Sequence, residues 1–534
     1  MKVTTRVRAK AAMMKAMVME SPERDYSSNL NPLLAAVDST RRDAARGLDA
    51  RRRALMGQFF TPASVAAFMA ELIESRNPVL RVLDPGAGVG SLSAAFVAAM
   101  CRRRRRPDSI ALTAYEVDPM LIGHLQTTLD LCRVASEEAG IRFEGRIVDE
   151  DFLVAGARVV TGDLFSAGSD ERFDCAIMNP PYRKIHTGSR ERNLLRLIGV
   201  ETSNLYAGFL AMTTELLNPG GEMVAITPRS FCNGPYFEPF RRFFLRGMRF
   251  RRVHVFDARD RAFADDQVLQ ENIVFRAEKA TESGHGVVVS SSRDVGDSSM
   301  RIRTIEHDDL VRREDPHAFI HIVPNDDGDP IRHRMRSLDV SLVDLGLAVS
   351  TGRVVDFRAK DLLRAHPGQN TVPLIYPCHF QHGFVEWPKE RLRKPNALAL
   401  GPQSDDLLVP SGHYVLVKRF SAKEERRRVV AAVYDPARVQ DGRVAFENHL
   451  NYYHLRGAGL PITVAKGLTA FLNSTLVDSY FRQFSGHTQV NATDLRSLRY
   501  PAWEKLVTLG RRIGTSFPAQ DELDRLVEEV ALCG

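Results

Sequence analysis

Residues 79–92 read VLRVLDPGAGVGSL, an apolar run followed by a glycine-rich turn and the start of a helical pattern. The apolar run predicts a buried strand, and the pattern after the turn predicts a helix. Gly86, Gly88 and Gly90 let the backbone turn sharply and approach a ligand closely, and the N-terminus of the helix favours an anionic group. This strand–turn–helix predicts a Rossmann-like nucleotide-binding fold, with Asp84 and the three glycines as candidate ligand contacts.

Polar residues also follow two further apolar runs. One run ends at Glu116, and a carboxylate at the end of the second strand of such a fold is placed to bind ribose hydroxyl groups, with Asp118 as the alternative. Residues 157–160 predict a third strand, which leads to Asp163 and Phe165. An ordinary loop carboxylate is the competing interpretation for each acid. Their succession after consecutive strands favours a nucleotide-like ligand.

The motif Asn179-Pro180-Pro181-Tyr182 ends another predicted strand, residues 173–178. The side-chain oxygen of Asn179 and the carbonyl of Pro180 can both accept hydrogen bonds from one planar amino group. The prolines fix the backbone so that both acceptors are aimed in advance. The ring of Tyr182 offers a flat face for stacking. The motif therefore predicts a site that holds a planar amino group.

A short motif precedes the glycine turn. Residues 57–62 read GQFFTP, and Thr61 suits the N-cap of a helix that has Pro62 in its first turn. A plain helix start is the competing interpretation of this motif.

The order GQFFTP, glycine turn, ribose acid, second acid and NPPY resembles the gamma class of DNA methyltransferases, which use S-adenosylmethionine to methylate adenine N6. The resemblance implies a class I methyltransferase domain, an α/β Rossmann-like sheet with helices on both faces. It implies that Asn179, Pro180, Pro181 and Tyr182 are catalytic and that the target base is flipped out and stacked. It implies cofactor contacts from Thr61, Asp84, Gly86, Gly88, Gly90, Glu116, Asp163 and Phe165. Asp163 would accept a hydrogen bond from the cofactor's adenine. Phe263 is a loose candidate for a second stacking aromatic, and a buried loop phenylalanine fits that position better.

The C-terminal part carries candidate DNA contacts. A predicted strand ends in Lys-Arg-Phe-Ser at residues 418–421, and residues 484–496 form a polar run. Amide side chains in that run suit adenine edges, and arginine suits guanine. A polar loop that packs one domain on another is the competing interpretation. Both segments resemble those of BsuBI/PstI-type modification methylases, which act on adenine in CTGCAG, and the resemblance spans roughly residues 50–505. The candidates are Lys418, Arg419, His487, Gln489, Asn491 and Arg496.

Composition is compatible with this interpretation. The formal net charge is +7, and positive charge is concentrated in residues 341–520, which suits a polyanionic partner. The six cysteines form no Cys-x-x-Cys pair, so the sequence predicts neither a zinc site nor a disulfide framework. It contains no apolar run long enough to span a membrane and no evident signal peptide, so a prokaryotic cytoplasmic protein associated with the nucleoid is expected.

Together these features predict a site-specific adenine-N6 methyltransferase of a restriction–modification system, working as a monomer on double-stranded DNA beside a separately encoded endonuclease. The expected organisation is a helical arm (1–50), a catalytic domain (51–290), a linker (291–340) and an α/β target-recognition domain (341–534). The main alternative is a protein glutamine methyltransferase, which also uses NPPY. The GQFFTP motif and the basic C-terminal region argue against it. A bifunctional restriction protein or an inactive DNA-binding module is a further alternative, disfavoured because no nuclease cluster is evident.

Overall fold

The computed structural model describes most of the chain. The described residues are 31–47, 57–162, 172–256, 271–279, 286–295, 297, 299–312, 315, 317–323, 328–390, 393–421, 425–439, 442–484 and 489–532.

A large mixed sheet forms the N-terminal part. Within the described residues it has nine strands in the order β3-β2-β1-β4-β5-β7-β6-β8-β9. The strands are β1 Val79–Pro85, β2 Ser109–Tyr115, β3 Arg142–Val148, β4 Phe173–Met178, β5 Leu217–Pro228, β6 Met248–Phe256, β7 Asn272–Lys279, β8 Val287–Ser292 and β9 Arg301–Ile305. Strands β1 to β5 run parallel, and β7 lies antiparallel to β5. The strand order reverses beside β1, and ligands bind at such a reversal in open α/β sheets.

Helices cover both faces of this sheet. They are α1 Pro32–Gly47, α2 Ala63–Glu71, α3 Ser91–Arg102, α4 Pro119–Glu138, α5 Phe152–Thr161, α6 Arg190–Leu197, α7 Leu205–Leu216, α8 Glu238–Gly247 and α9 His307–Leu310. On one face Phe96 and Leu125 pack into a core that α1 also joins through Val37. On the other face Leu210 and Phe240 belong to a second core. Burial on both sides explains why the central strands are almost wholly apolar. The predicted class I methyltransferase sheet is confirmed.

The third strand lies earlier in the chain than predicted. Residues 157–160 are part of helix α5, and the third strand is β3, Arg142–Val148. Strand β3 is at the edge of the sheet and largely exposed, so charged residues alternate through it and weaken its apolar signal. The β-branched pair Val159 and Val160 suggested a strand, but these residues extend the partly buried face of an amphipathic helix.

The segment predicted as a linker contains regular structure. Strand β9 extends the large sheet beyond residue 290, and its polar residues are tolerated because it is an edge strand. Met335 and Leu338 belong to the core of the C-terminal part. The predicted arm is described only from residue 31, where α1 packs on the catalytic core.

The C-terminal part contains two smaller sheets. Within the described residues their orders are β10-β20-β17-β18-β14-β13 and β11-β15-β12-β19-β16. The strands are β10 Ala348–Thr351, β11 Leu363–Arg364, β12 Thr371–Ile375, β13 Phe380–Gln381, β14 Phe384–Val385, β15 Ala397–Ala399, β16 Leu408–Val409, β17 Tyr414–Lys418, β18 Ala431–Tyr434, β19 Val444–Phe446 and β20 Leu450–His454. The helices are α10 Gly328–Arg336, α11 Pro436–Val439, α12 Ile462–Leu472, α13 Thr475–Phe484, α14 Ala492–Arg496, α15 Trp503–Arg512 and α16 Gln520–Val527. No helix in the described residues is long and apolar enough to cross a membrane.

A buried arginine joins the two parts. Arg229 follows β5, and its Nη1 pairs with Glu271 Oε1 at 2.8 Å. Its Nη2 donates to the carbonyl of Ile322 at 3.1 Å and to the carbonyl of Gln483 at the end of α13. These three acceptors bind the two terminal nitrogens of the buried charge, while Nε has no hydrogen-bond partner among the described residues. A buried charge depends on such acceptors, so the junction is specified in detail.

Helices α12 and α15 touch backbone to backbone at two glycines. A Cβ atom on Gly467 would lie 1.9 Å from the carbonyl oxygen of Leu506, and one on Gly510 would lie 1.7 Å from the carbonyl oxygen of Thr463. Neither position can accept a side chain unless the helices move apart.

We expect Gly510→Ala to lower the free energy of unfolding by about 1–3 kcal/mol, the usual cost of overpacking. Differential scanning calorimetry would measure this loss. Gly514→Ala is the matched control, because a Cβ there meets open space. Equal melting temperatures for the two variants would contradict the packing argument.

Candidate active site

A cavity opens at the carboxyl edge of the parallel strands, and its empty space together with the open mouth amounts to about 970 Å³. Its walls come from the GQFFTP motif, the loops after β1, β2 and β3, the NPPY motif and helix α7. Among the lining residues are Phe59, Phe60, Thr61, Gly86, Gly88, Glu116, Asp151, Phe152, Asn179, Pro181, Arg183 and Phe209. The predicted motifs therefore converge on one cavity, although they are far apart in sequence.

The glycine turn is closed by backbone hydrogen bonds and one carboxylate. Gly86 and Gly88 have φ of 76° and 60°, a region that side chains disfavour. The backbone N–H of Gly86 donates to the carbonyl of Tyr115 at 2.9 Å. Gly88 N–H donates to Glu116 Oε2 at 2.8 Å. The turn after β1 is thus held against the end of β2.

Glu116 is buried at the floor of the cavity. Its Oε1 accepts from the backbone N–H groups of Val117 and Asp118, each at 2.8 Å. Burial raises the pKa of Glu116, and the hydrogen bonds from Asp118, Gly88 and Val117 oppose that rise. A carboxylate has about four acceptor positions and three are occupied, so one remains for a ligand hydroxyl. Asp118, the alternative ribose acid, instead caps α4 by accepting from Met120 N–H.

Asp84 and Gly90 are absent from the cavity wall. Asp84 accepts from Ser93 Oγ at 2.6 Å, and complete burial raises its pKa to about 7. A Cβ on Gly90 would lie 2.8 Å from a side-chain carbon of Thr128 on α4. The two residues support the glycine turn from behind.

Three acids follow the third strand, Asp149, Glu150 and Asp151, and the last two line the cavity. Asp151 caps α5, since its Oδ1 accepts from the N–H groups of Leu153 at 2.9 Å and Val154 at 3.2 Å. Phe152 lies beside it, 5.1 Å from Phe209 between ring centroids.

The predicted cofactor contacts Asp163 and Phe165 stay predictions, although the strand expected before them is part of helix α5. Both lie outside the described residues, after helix α5 and not after the third strand. Sequence analysis missed Asp151 and Phe152. The usable signal was an N-cap acid just before a helical apolar run.

The amide of Asn179 has one satisfied end and one unsatisfied end. Its Nδ2 donates to the carbonyl of Phe59 at 2.9 Å and to Thr61 Oγ1 at 3.1 Å. These two acceptors fix which end of the amide is the donor. Its Oδ1 is buried and has no hydrogen-bond partner among the described residues. A buried acceptor without a partner is costly, and here it belongs to a residue that lines the cavity.

The rest of the NPPY motif frames this amide. Pro181 lines the cavity, and Pro180, which joins it to Asn179, is buried. Tyr182 donates its hydroxyl to the carbonyl of Ile226 on β5 at 3.1 Å, and burial raises the pKa of that hydroxyl. Its ring centroid lies 5.3 Å from that of Phe59 and 6.1 Å from that of Tyr206. The tyrosine is therefore part of an aromatic row at the edge of the cavity.

The GQFFTP and NPPY motifs are also joined through their backbones. The N–H of Tyr182 donates to the carbonyl of Gly57 at 3.0 Å. A Cβ on Gly57, which has φ of 67°, would lie 2.8 Å from Tyr182 N. Only glycine permits this approach.

The described candidate DNA contacts of the C-terminal part all have partners within the fold. Lys418 pairs with Glu425 at 2.7 Å, Arg419 Nη1 donates to the Asn448 carbonyl at 3.1 Å, and Gln489 forms a backbone bridge with Phe420. Asn491 caps α14, and Arg496 donates to the carbonyl of Val349 at 2.8 Å. The polar run thus has partners within the fold, as the packing interpretation expects for Asn491 and Arg496. His487 and Phe263 lie outside the described residues.

Comparisons with known proteins identify relatives along nearly the whole chain. The Eco57I restriction-modification methylase family matches residues 137–263. The chain is 42% identical to type II methyltransferase M.PstI of Providencia stuartii, over 92% of this chain and 96% of the relative. It is 43% identical to type II methyltransferase M.BsuBI of Bacillus subtilis, over 90% of this chain and 95% of the relative. The solved structure of the type IIG restriction endonuclease BpuSI aligns with 88% of this chain and 62% of that one, at a TM-score of 0.41 and 15% identity.

We expect Asp151→Asn to weaken S-adenosylmethionine binding about tenfold or more, because an amide cannot replace both acceptor oxygens at the cavity wall. Asparagine is itself a good N-cap, so α5 should remain intact. Isothermal titration calorimetry would measure the affinity. Asp163→Asn is the comparison variant, and a larger loss of affinity there would support the original prediction.

Proposed function

This chain belongs to the type II DNA methyltransferases of restriction–modification systems, and we propose that it methylates adenine N6 at one short sequence in double-stranded DNA. The observation that carries the proposal is the unsatisfied Oδ1 of Asn179. An acceptor fixed at the cavity wall calls for a ligand that brings an N–H donor. The exocyclic amino group of adenine is such a donor.

S-adenosylmethionine is the cofactor of this class of enzymes, and the cavity fits it. When bound, it supplies a methyl group on a positively charged sulfur. We assign the methionine part to the glycine turn, where Gly86 and Gly88 let the backbone come close. We assign the ribose of the cofactor to Glu116, because one acceptor position of its carboxylate is unoccupied. We assign the adenine of the cofactor to Asp151 and Phe152, which place a carboxylate beside an aromatic ring on the cavity wall.

The role of Asn179 follows from the chemistry of the amino group. The N6 lone pair of adenine is delocalised into the ring, so N6 is a poor nucleophile. Hydrogen bonds from N6 to Asn179 Oδ1 and to the Pro180 carbonyl favour a more tetrahedral nitrogen with a localised lone pair. A methylated amino nitrogen would carry a positive charge and lose its extra proton readily, so water can accept that proton and no side chain is assigned as general base. It contributes through position and electrostatics.

The amide of Asn179 lies in a cavity of the protein, which a base stacked within a duplex cannot reach. The target base must therefore leave the duplex. We assign the stacking of the flipped base to Tyr182 and Phe59, and the buried Tyr206 supports Tyr182 edge-on. The hydroxyl of Tyr182 is already bonded to β5, which fixes the plane of its ring before DNA arrives. A fixed ring reduces the entropy lost on binding.

Sequence recognition and partnership are further parts of the proposal. CTGCAG is the site that the resemblance to the BsuBI/PstI type implies. A separate endonuclease that cuts the same sequence would complete the system, and a monomer suffices to modify each strand in turn.

We expect Asn179→Ala to reduce the rate of methyl transfer about 10²–10³-fold, the usual loss when one preorganised polar contact is removed. Single-turnover transfer of a tritiated methyl group would measure the rate, and equilibrium binding of DNA and cofactor should change little. Asn179→Asp should retain more activity than alanine, because it keeps an acceptor, but less than the wild type, because a carboxylate cannot donate to the Phe59 carbonyl. Full activity in the alanine variant would refute the assigned role.

Methylation mapping tests the product and the site together. The chain would be expressed in a host that lacks DNA methylation, and the genome sequenced with reads sensitive to modified bases. We expect N6-methyladenine at one motif, CTGCAG. Modified cytosine at a single motif would overturn the adenine assignment, and adenine methylation at another motif would overturn only the proposed site. The Asn179→Ala variant is the negative control.

A further inference from the structure

The C-terminal part contains an oriented histidine that none of the sequence motifs includes. His449 lies in the turn between β19 and β20, where the chain passes from the five-stranded sheet to the six-stranded sheet. Its side chain is 46% exposed. Its Nδ1 contacts Glu447 Oε1, and its backbone N–H donates to Glu447 Oε2 at 2.9 Å. One carboxylate thus holds both the ring and the backbone of this residue.

Glu447 itself is fully buried. Burial raises the pKa of Glu447, and the hydrogen bonds from His449 oppose that rise. Burying a carboxyl group costs stability, and an exposed imidazole adds little packing in return. An arrangement that costs stability yet fixes an exposed polar ring is typical of a binding residue.

The turn around His449 is rigid. Val354 N–H donates to the Phe446 carbonyl at 3.1 Å, and Asn448 N–H donates to the Val354 carbonyl at 2.8 Å. A Cβ on Gly352 would lie 2.1 Å from the carbonyl oxygen of Glu447, so the two segments are in direct contact. The backbone around His449 is therefore held by the segment 352–354, and the imidazole is held by Glu447.

An exposed aromatic and an arginine complete this surface. The ring of Phe420, 38% exposed, lies 4.7 Å from the ring of His449 between centroids. Arg419 N–H donates to the His449 carbonyl at 2.8 Å, and the guanidinium lies 5.8 Å from the Phe420 ring. Gln489 bridges to Phe420 on the other side. A basic and aromatic surface of this kind suits nucleic acid.

The surface connects to the active site through the buried junction. The carbonyl of Gln483, at the end of α13, binds Arg229 shortly after β5. Ile226 on the same strand holds the hydroxyl of Tyr182. Gln489, which bridges to Phe420, lies six positions after Gln483 in the chain.

We propose that His449, held by Glu447 and Phe420, reads one base edge of the target sequence through its Nε2. Nδ1 is engaged by Glu447, and Nε2 has no partner among the described residues. An atom held in one orientation favours the base edges that present the complementary donor or acceptor at that point, so it can contribute to discrimination at one position of the site. The proposal deepens the proposed function, since it rests on sequence-specific modification of DNA.

The test compares methylation of the mapped site with methylation of duplexes that each carry one altered base pair. We expect His449→Ala to lower kcat/KM at the mapped site about 2–10-fold, the usual contribution of one hydrogen bond. On the duplex altered at the base pair that His449 reads, the variant and the wild type should have the same kcat/KM. The variant therefore no longer distinguishes the correct base pair from the altered one at that position. Glu447→Gln should lose discrimination at the same position to a smaller degree. Cofactor affinity should not change.

His413→Ala is the matched control. His413 pairs with Asp435 at 3.4 Å and lies just before the start of β17. Arg419 and Phe420 lie just after the end of β17, so the control histidine is at the opposite end of the same strand. We expect this control to behave as the wild type at every duplex.

Two outcomes would overturn the proposal. One is an unchanged discrimination profile in His449→Ala. The other is an equal loss of binding to duplexes with and without the site, which would indicate a phosphate contact. The assay counts methyl groups on any base. A wild-type enzyme that modified another base would therefore refute the adenine assignment and still allow the role of His449 to be measured.

Discussion

The proposed active site depends on the two hydrogen bonds that Asn179 Nδ2 donates to Phe59 and Thr61. They orient the amide so that its oxygen is the end left without a partner. Without them the amide could rotate and present its NH2 group, which would repel an amino substrate. The backbone bond from Tyr182 to Gly57 reinforces the same junction. The GQFFTP motif and the NPPY motif therefore form one unit, and any movement of the cofactor-side segment also moves the catalytic amide.

The sheet order explains why such distant motifs meet. Parallel strands place their carboxyl ends at one edge, and the order β3-β2-β1-β4-β5 puts the turns after β1 and β4 side by side. Glu116 then joins the turn after β2 to the glycine turn through a bond to Gly88. Because the carboxylate has an acceptor position left, the same residue can hold a ligand. Structural and binding roles are combined in one side chain.

The sequence predicted those parts of the fold and site that have a strong local signal. The glycine turn, Glu116 and NPPY each follow a buried apolar strand, and all three lie on the cavity. The third strand was misplaced, because an exposed edge strand has little apolar periodicity while Val159 and Val160 imitate a strand within a helix. The pair of Glu447 and His449 has no local signal, since its meaning lies in burial and orientation that only the folded chain defines.

Arg229 gives the recognition surface and the active site a shared frame. Its guanidinium binds Glu271, Ile322 and Gln483, which belong to separate segments of the chain. Removing any of these acceptors would leave a buried charge short of partners, so the segments are constrained together. A base reader at His449 can select a sequence only if its distance from the catalytic amide is fixed to within a fraction of a base-pair step. A buried, multiply bonded arginine between α13 and β5 is the kind of joint that such a fixed distance requires.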